Sequence, residues 1–566
     1  MEVTLADGRF TPHTLAVRPG TMVQWENNEV ISHTLIGDKS WLPDPILAPG
    51  TQFTWLMDTP GIYHYASSFS SGIEGEILVL EGGAETLFEG TPVEEAYLDY
   101  CSGCHGADRG GGVGPALIPD MMLEVDSFYF DTIKNGRVGT IMPAWGSFGL
   151  TDEEIWMLVG FLRSEPNYAE LEWGMPQIAA SRTVLVPEDQ LPPAPTHNGK
   201  LDNLFLITER EARRIAVVDG DTHELLAHID ASYRAHGYAF DPTNDRWAYN
   251  LGRDGWVFKI DLYSLQAVTK VRVGHDSRGL AISDDGQYLI AGNYIPHTAV
   301  ILDAQTLEPL KVLATEGTDP DGVFVQSRVA ITSDVAPDLV GPYFILGLKE
   351  AGQVWRIDYS QPDFPIDKLE NVGRILHDGF LSPDNTRFYI ASQGDSYMAV
   401  IDVQNWTLVD TIATGDLPHP GSGAVWEAGG VEYGATVHAG EGLVTVWNLA
   451  DNEIMAQIPT SGPGLFIRTH EANPYVWADT MFGPSPNEIY IINKTTFSVT
   501  HVISDGLQTL HPEFTQDGSY IYISDWLGNV VRVYDANTFT LVAVIEDVIT
   551  PTGIFNTARR YEKLGH

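Results

Sequence analysis

Two cysteines separated by two residues and followed at once by a histidine, Cys101, Cys104 and His105 in CSGCH, are the most chemically specific group in the chain. Thiols at this spacing form thioethers with the two vinyl groups of a haem, and the adjacent imidazole is positioned as an axial iron ligand, so the motif predicts a covalent c-type haem. Met142 in IMPAWG is expected to cap the opposite face, completing a His/Met pair that raises the reduction potential. A zinc cluster or thioredoxin-like dithiol is disfavoured, because no second ligand pair and no βαβ context accompany the motif. The chain has only these two cysteines, so a disulfide framework is excluded as well.

The elements that must position this chemistry follow from pattern. Residues 83–172 change to helical spacing, with VEEAYLDYCSGCH at one end and TDEEIWMLVGFLRSEP at the other. The second segment opens with an N-cap, Thr151, and an acidic first turn. Residues 1–82 carry short β-type runs between turn signals, such as Thr21–Trp25 and Glu76–Leu80, which predict a small β-sandwich. Residues 173–200 are proline-rich without periodicity and read as a linker.

From 201 to 566 the sequence is repetitive. The unit is a strand, a turn, a strand ending in Asp or Asn, another turn and a third strand, as in RIAVVDGDTHELLAHI and VRVYDANTFTLVAVI. Its turn residues are Asp219, Asp261, Asp303, Asp358, Asp402, Asn448, Asn493 and Asp535, about 42 to 55 residues apart, the spacing of four-stranded propeller blades. The expected fold is therefore mainly β: a sandwich, a helical cytochrome c domain and an eight-bladed β-propeller whose central hollow can hold a planar cofactor.

A chain of 566 residues implies two to four domains. The formal net charge of -44 excludes nucleic acid as a partner, since phosphate recognition needs clustered cations. No apolar run reaches eighteen residues, so no membrane span is predicted. Glu2–Leu5 already reads as a strand and no signal-peptide pattern precedes it, so an export signal to the periplasm or outside is inferred and not seen in the chain.

Residues 1–82 resemble the cupredoxins through FTPHTLAVRPGTMVQWENNEVISHT and PGIYHYASSFSSGIEGEILVL. The resemblance puts the first copper-ligand position on His33 and the remaining ones on Ser67, Ser70 and Ile73. A thiolate copper site cannot be built there, so copper is not expected. His13, His33 and His64 are read as structural or solvated, and the domain as a docking or packing module.

Residues 83–566 resemble cytochrome cd1 nitrite reductase and its relatives, including the haem d1 dehydrogenase. The resemblance rests on CSGCHG, MPAWGSFG, DNLFLITEREARRIAVVDGDT, ILHDG, LPHPGSGA, GLFIRTH and ITPTGIFN. It implies a non-covalent haem d1 with His236 as proximal iron ligand. It further implies Arg253, Arg278 and Arg328 as partners of the macrocycle's carboxylates, and Tyr294, His511, Thr552 and Gly553 as contacts to the ring. On the distal side it gives His377 as catalytic proton donor and Phe324 where a second histidine is expected, with no nearby replacement. Ala239 and Ser422 stand where the reductases usually have arginine, which makes the pocket less basic than the family norm.

The leading functional expectation is a periplasmic nitrite reductase, in which haem c passes an electron to haem d1 and nitrite becomes nitric oxide. A small soluble cytochrome c or cupredoxin is the expected donor, and the resemblance implies a homodimer. The alternatives are a haem d1 dehydrogenase that oxidises a side chain of the precursor, and an electron-transfer scaffold whose propeller lacks haem d1.

Overall fold

The structure is a computed structural model. It describes all residues except 1, 7–8, 12–13, 18–19, 30, 38–40, 44, 60, 68–72, 80–85, 88–90, 106–108, 112–114, 120–121, 123, 138–141, 149, 165–172, 211, 337 and 562–566. His13 and Ser70 lie outside the described residues. Two compact units divide the chain, Met1–Glu170 and Leu171–His566.

The first unit begins as two facing sheets. In the strand Thr21–Asn27 burial alternates, with Val23, Trp25 and Asn27 inside, as a half-buried strand requires. Val3, Trp25, Leu35, Tyr65 and Ile77 belong to the core shared by the two sheets. Helices Val93–Tyr100, Asp126–Asn135 and Asp152–Arg163 follow, with the short helix Ser102–His105 after the first. Thr151 caps the last as predicted: its Oγ1 accepts from the Glu154 amide at 3.3 Å, and the Glu154 carboxylate accepts from the Thr151 amide at 2.8 Å.

In the second unit the eight repeats form eight antiparallel sheets, seven of four strands and one with a fifth. All eight repeat residues predicted at turns act in the same way. Each uses a side-chain oxygen to accept a backbone N–H two or three residues on: Asp219 from Asp221, Asp261 from Tyr263, Asp303 from Thr306, Asp358 from Ser360, Asp402 from Asn405, Asn448 from Ala450, Asn493 from Thr495 and Asp535 from Asn537. That bond closes the turn between the last two strands of each repeat, which is why only Asp or Asn recurs there.

Buried apolar clusters lie between neighbouring sheets, as in Tyr249, Val257, Leu289 and Val300, and each sheet's first strand meets the first strand of the next. The last strand, Pro551–Asn556, pairs with Leu204–Glu209 near the start of the unit, so the array closes on itself. The stretch expected to be a linker is structured. Its helix Met175–Ser181 and strand Thr183–Val184 pack on Gln266–Arg272, where Thr183 pairs with Lys270 and Trp173 Nε1 donates to the Arg272 carbonyl at 2.8 Å. No helix among the described residues is long and apolar enough to cross a membrane.

Candidate functional site

In the first unit the His105 amide donates to the Cys101 carbonyl at 2.9 Å, so the histidine lies one helical turn beyond the first cysteine. Cys104 is on the same short helix. The His105 ring is buried, and Nδ1 donates to the Pro115 carbonyl at 2.8 Å. This fixes the tautomer and leaves the Nε2 lone pair for a metal, while burial pulls the imidazole pKa down and keeps it neutral. Met142 and Cys101 both pack on the core of this helical segment. A β-carbon at Gly136 (φ 66°) would come within 2.7 Å of the Met142 carbonyl, so that position needs glycine for the Met142 segment to approach. Two thiols, a neutral imidazole and a thioether form a donor set that fits haem c.

In the second unit the predicted residues gather through one repeated device. The inner strands of seven sheets shift register near one end, and several of the predicted side chains sit at those shifts. His236 lies between Ala235 and Gly237, Arg278 between Ser277 and Leu280, His377 between Leu376 and Gly379, and His511 between Leu510 and Glu513. Thr552 and Gly553 fall at the shift opposite Ile207 and Glu209. A non-glycine residue with left-handed backbone stands two positions before several of these sites: Arg234 (φ 49°) before His236, Ile375 (φ 53°) before His377 and Thr550 (φ 46°) before Thr552. Such bulges re-aim side chains out of the ladder, and the strain at each left-handed residue costs on the order of 1–3 kcal/mol.

Three predicted arginines surround one ring. The Tyr294 hydroxyl accepts from Arg278 Nη1 at 3.2 Å, and the guanidinium carbons of Arg253 and Arg328 lie 4.5 and 5.0 Å from the Tyr294 ring centre. Burial pushes the Tyr294 hydroxyl pKa up, but Arg278, Lys349 and Arg253 outweigh it and the net shift is downward. Burial also lowers the pKa of Lys349. Asp276 is fully buried beside this group, and burial raises its carboxyl to about 7 against the pull of Arg253, Arg328, Arg278 and Arg234. A cationic cluster on an aromatic ring, next to the half-buried His236, fits a planar macrocycle bearing carboxylates.

Opposite charges meet again at His377. Arg278 Nη1 lies 2.6 Å from His377 Nε2, and Arg278 Nη2 donates to Asp378 Oδ1 at 2.8 Å. A guanidinium only donates, so Nε2 accepts and the neutral ring carries its proton on Nδ1, 3.1 Å from Asp378 Oδ1. His419 completes the group, its ring centre 4.7 Å from that of His377 and its Nδ1 donating to the Leu465 carbonyl at 2.9 Å. Burial, then Arg278, holds the His377 pKa well below its usual value, and burial lowers that of His419. Two histidines and an aspartate have the composition of a metal site. With His419 Nδ1 committed to a carbonyl and a guanidinium inside the cluster, acid–base chemistry suits it better.

The resemblance set Phe324 at the second distal position with no nearby histidine; the structure places His419 beside His377. Phe324 is 65 % exposed on the hairpin formed by Glu316–Thr318 and Phe324–Gln326. His419 was overlooked although LPHPGSGA was recognised; it stands at the His377 place of the following repeat, two residues after the left-handed Leu417 (φ 48°). Asp276, Asp378 and Lys349 were missed too. His511 is buried, with Nδ1 accepting from the Ile554 amide at 2.6 Å and its ring packed on Phe466 and Phe555. Ala239 is buried and contributes no charge.

In the sandwich, His33 is buried with both ring nitrogens engaged, Nδ1 with Ser67 Oγ at 2.8 Å and Nε2 with Glu29 Oε2 at 2.9 Å. His64 is exposed.

A family model described as "Cytochrome D1 heme domain" matches residues 199–560. The chain belongs to the cytochrome d1 haem domain family. Residues 89–162 of this cytochrome d1 family member match a second model, cytochrome C oxidase, cbb3-type, subunit III. Among its relatives, the dihydro-heme d1 dehydrogenase of Pseudomonas aeruginosa is 32% identical over 473 residues, covering 83% of this chain and 94% of that protein. The nitrite reductase of Stutzerimonas stutzeri is 28% identical over 527 residues, covering 82% and 91%. A solved structure of dihydro-heme d1 dehydrogenase NirN in complex with DHE is similar with a TM-score of 0.76 at 32% identity, over 82% of this chain and 99% of that one. The second unit thus has the propeller-type fold of haem d1 domains, and the haems that go with the two domains of this cytochrome d1 family member are haem c and haem d1.

These likenesses overturn the expectation of a nitrite reductase, because the dehydrogenase matches at higher identity and in three dimensions. The physical reason agrees. Delivering protons to nitrite calls for imidazolium donors near operating pH, whereas burial and Arg278 hold His377 neutral.

Proposed function

We propose that this chain is a haem d1 dehydrogenase: it removes two hydrogens from a side chain of dihydro-haem d1, its substrate, and passes the electrons outward through haem c. The observation that carries the reading is the buried, neutral His377 beside Asp378 and His419. A neutral imidazole accepts a proton, which is what dehydrogenation asks of the protein.

The reaction releases two electrons and two protons. Haem c carries one electron at a time, so each turnover needs two transfers to an acceptor. His377 takes one proton at Nε2 once Arg278 has turned from it to the ligand, with Asp378 orienting Nδ1–H, and the second proton goes to His419 Nε2, which keeps its lone pair because Nδ1–H is committed to the Leu465 carbonyl. His236 would hold the iron of the substrate, Arg253, Arg278 and Arg328 its carboxylates, and Tyr294, His511, Thr552 and Gly553 would line it. Cys101, Cys104, His105 and Met142 would hold haem c, which supplies one-electron transfer. Both cysteines serve there, so the substrate is held without a covalent bond and can leave.

In this reading the eight sheets are the blades of the propeller, the sandwich is a copper-free cupredoxin-like module, and a small soluble electron carrier docks on the exported protein in the periplasm. The test is to incubate the haem c-loaded protein with dihydro-haem d1 and an electron acceptor, then extract with acid acetone. The extract is expected to contain haem d1 while haem c stays with the protein. Unchanged dihydro-haem d1 after prolonged incubation rejects the proposal.

A further inference from the structure

Each of the three arginines at Tyr294 comes with an acid of its own. Arg253 Nη2 donates to Asp276 Oδ2 at 2.7 Å, Arg278 Nη2 to Asp378 Oδ1 at 2.8 Å, and Arg328 Nε to Glu350 Oε1 at 2.6 Å. The Arg328 amide also donates to Glu350 Oε2 at 2.8 Å. The Asp276 and Asp378 side chains are fully buried and that of Glu350 is 26% exposed. Asp276 Oδ1 is buried without a hydrogen bond. These acids come from three different strands or their ends, at Asp276–Ile282, Leu376–Leu381 and after Tyr343–Leu348, so no single local turn accounts for the pattern.

We propose that Asp276, Asp378 and Glu350 are internal counter-ions that stand in for the macrocycle's carboxylates and tune the pocket for release. An arginine that already holds a carboxylate exchanges one ion pair for another when a ligand binds, and so gains far less than an unpaired guanidinium would. The apparent affinity falls by the fraction of pockets in which the arginine is free to turn to the ligand. A permanent cofactor site has no use for this competition. A site that admits a substrate and surrenders the product does. The inference rests on the proposed function for the placement of the macrocycle at this cluster.

The test is a spectroscopic titration of haem c-loaded full-length protein with extracted haem d1 at about pH 8.5, where Asp276 is ionised, over a range of salt concentrations, for wild type, Asp276→Asn and Glu350→Gln. Both variants are expected to bind more tightly, Asp276→Asn by about tenfold, with slower dissociation and a steeper loss of affinity with salt, because more of the ligand's charge is then met by an unpaired guanidinium. Glu350 is partly exposed, so Glu350→Gln decides the matter if Asp276→Asn does not fold. Unchanged or weaker binding in the folded variants overturns the inference and leaves the proposed function standing. If wild type takes up no haem d1, the proposed function falls, and the inference with it.

Discussion

The sandwich and the propeller each bury a histidine that family resemblance singles out, His33 as a copper-ligand position and His377 as a proton donor, and they treat it in opposite ways. At His33 both ring nitrogens are engaged, by Ser67 and Glu29, within one small domain. At the hub, His377 faces a guanidinium, and Asp276 Oδ1 and Arg278 Nε are buried without a hydrogen bond. The difference teaches that what faces a buried imidazole, a hydroxyl and a carboxylate at His33 but a cation at His377, tells more about the site than the presence of a histidine does.

The comparison breaks most sharply through electron exit. Replacing Cys101 and Cys104 with serine is expected to remove haem c, as read by a pyridine haemochrome assay, and to reduce haem d1 formation to background. His377→Ala comes next, with a loss of turnover of about a hundredfold to ten-thousandfold while haem d1 uptake in the titration persists. A merely structural His377 would instead lose uptake and turnover together.

Acid sharpens the same contrast. The folded His377 pKa lies well below its ordinary 6.5, so unfolding below that value takes up a proton that the native hub refuses. The stability this neutral histidine contributes is therefore present above pH 6.5 and is lost as pH falls through the depressed folded value. Turnover is expected to hold from pH 7 down to about 6 and to fall only in more acid solution. A midpoint above 7 in a pH–rate profile would falsify the neutral-base role.

Ser67→Ala probes the other side. It removes the Ser67 Oγ contact to His33 Nδ1, and urea unfolding should show a loss of about 1–3 kcal/mol with turnover unchanged. The smallest effect is expected from Phe324→Ala, within about 0.5 kcal/mol in stability and without a resolvable change in turnover, since the ring is mostly in solvent.

Much of the architecture was legible because it depends on local chemistry. Thr151 and Glu154 cap a helix through neighbours in sequence, and the eight Asp or Asn turn residues close turns two or three residues long. The haem c anchor is legible for the same reason, as its cysteines and His105 span little more than one helical turn. By contrast, residues 173–200 have no periodicity of their own and take their order from the sheet they pack on.

The sequence by itself determined the repeat, the haem c motif and the residue types at the hub, because spacing along the chain carries that information. Only the tertiary structure decided which histidine stands beside His377, which acid each arginine holds and in which direction the imidazoles titrate. Those depend on bulges that turn distant strands toward one point and on the burial that follows, and neither leaves a mark in local sequence.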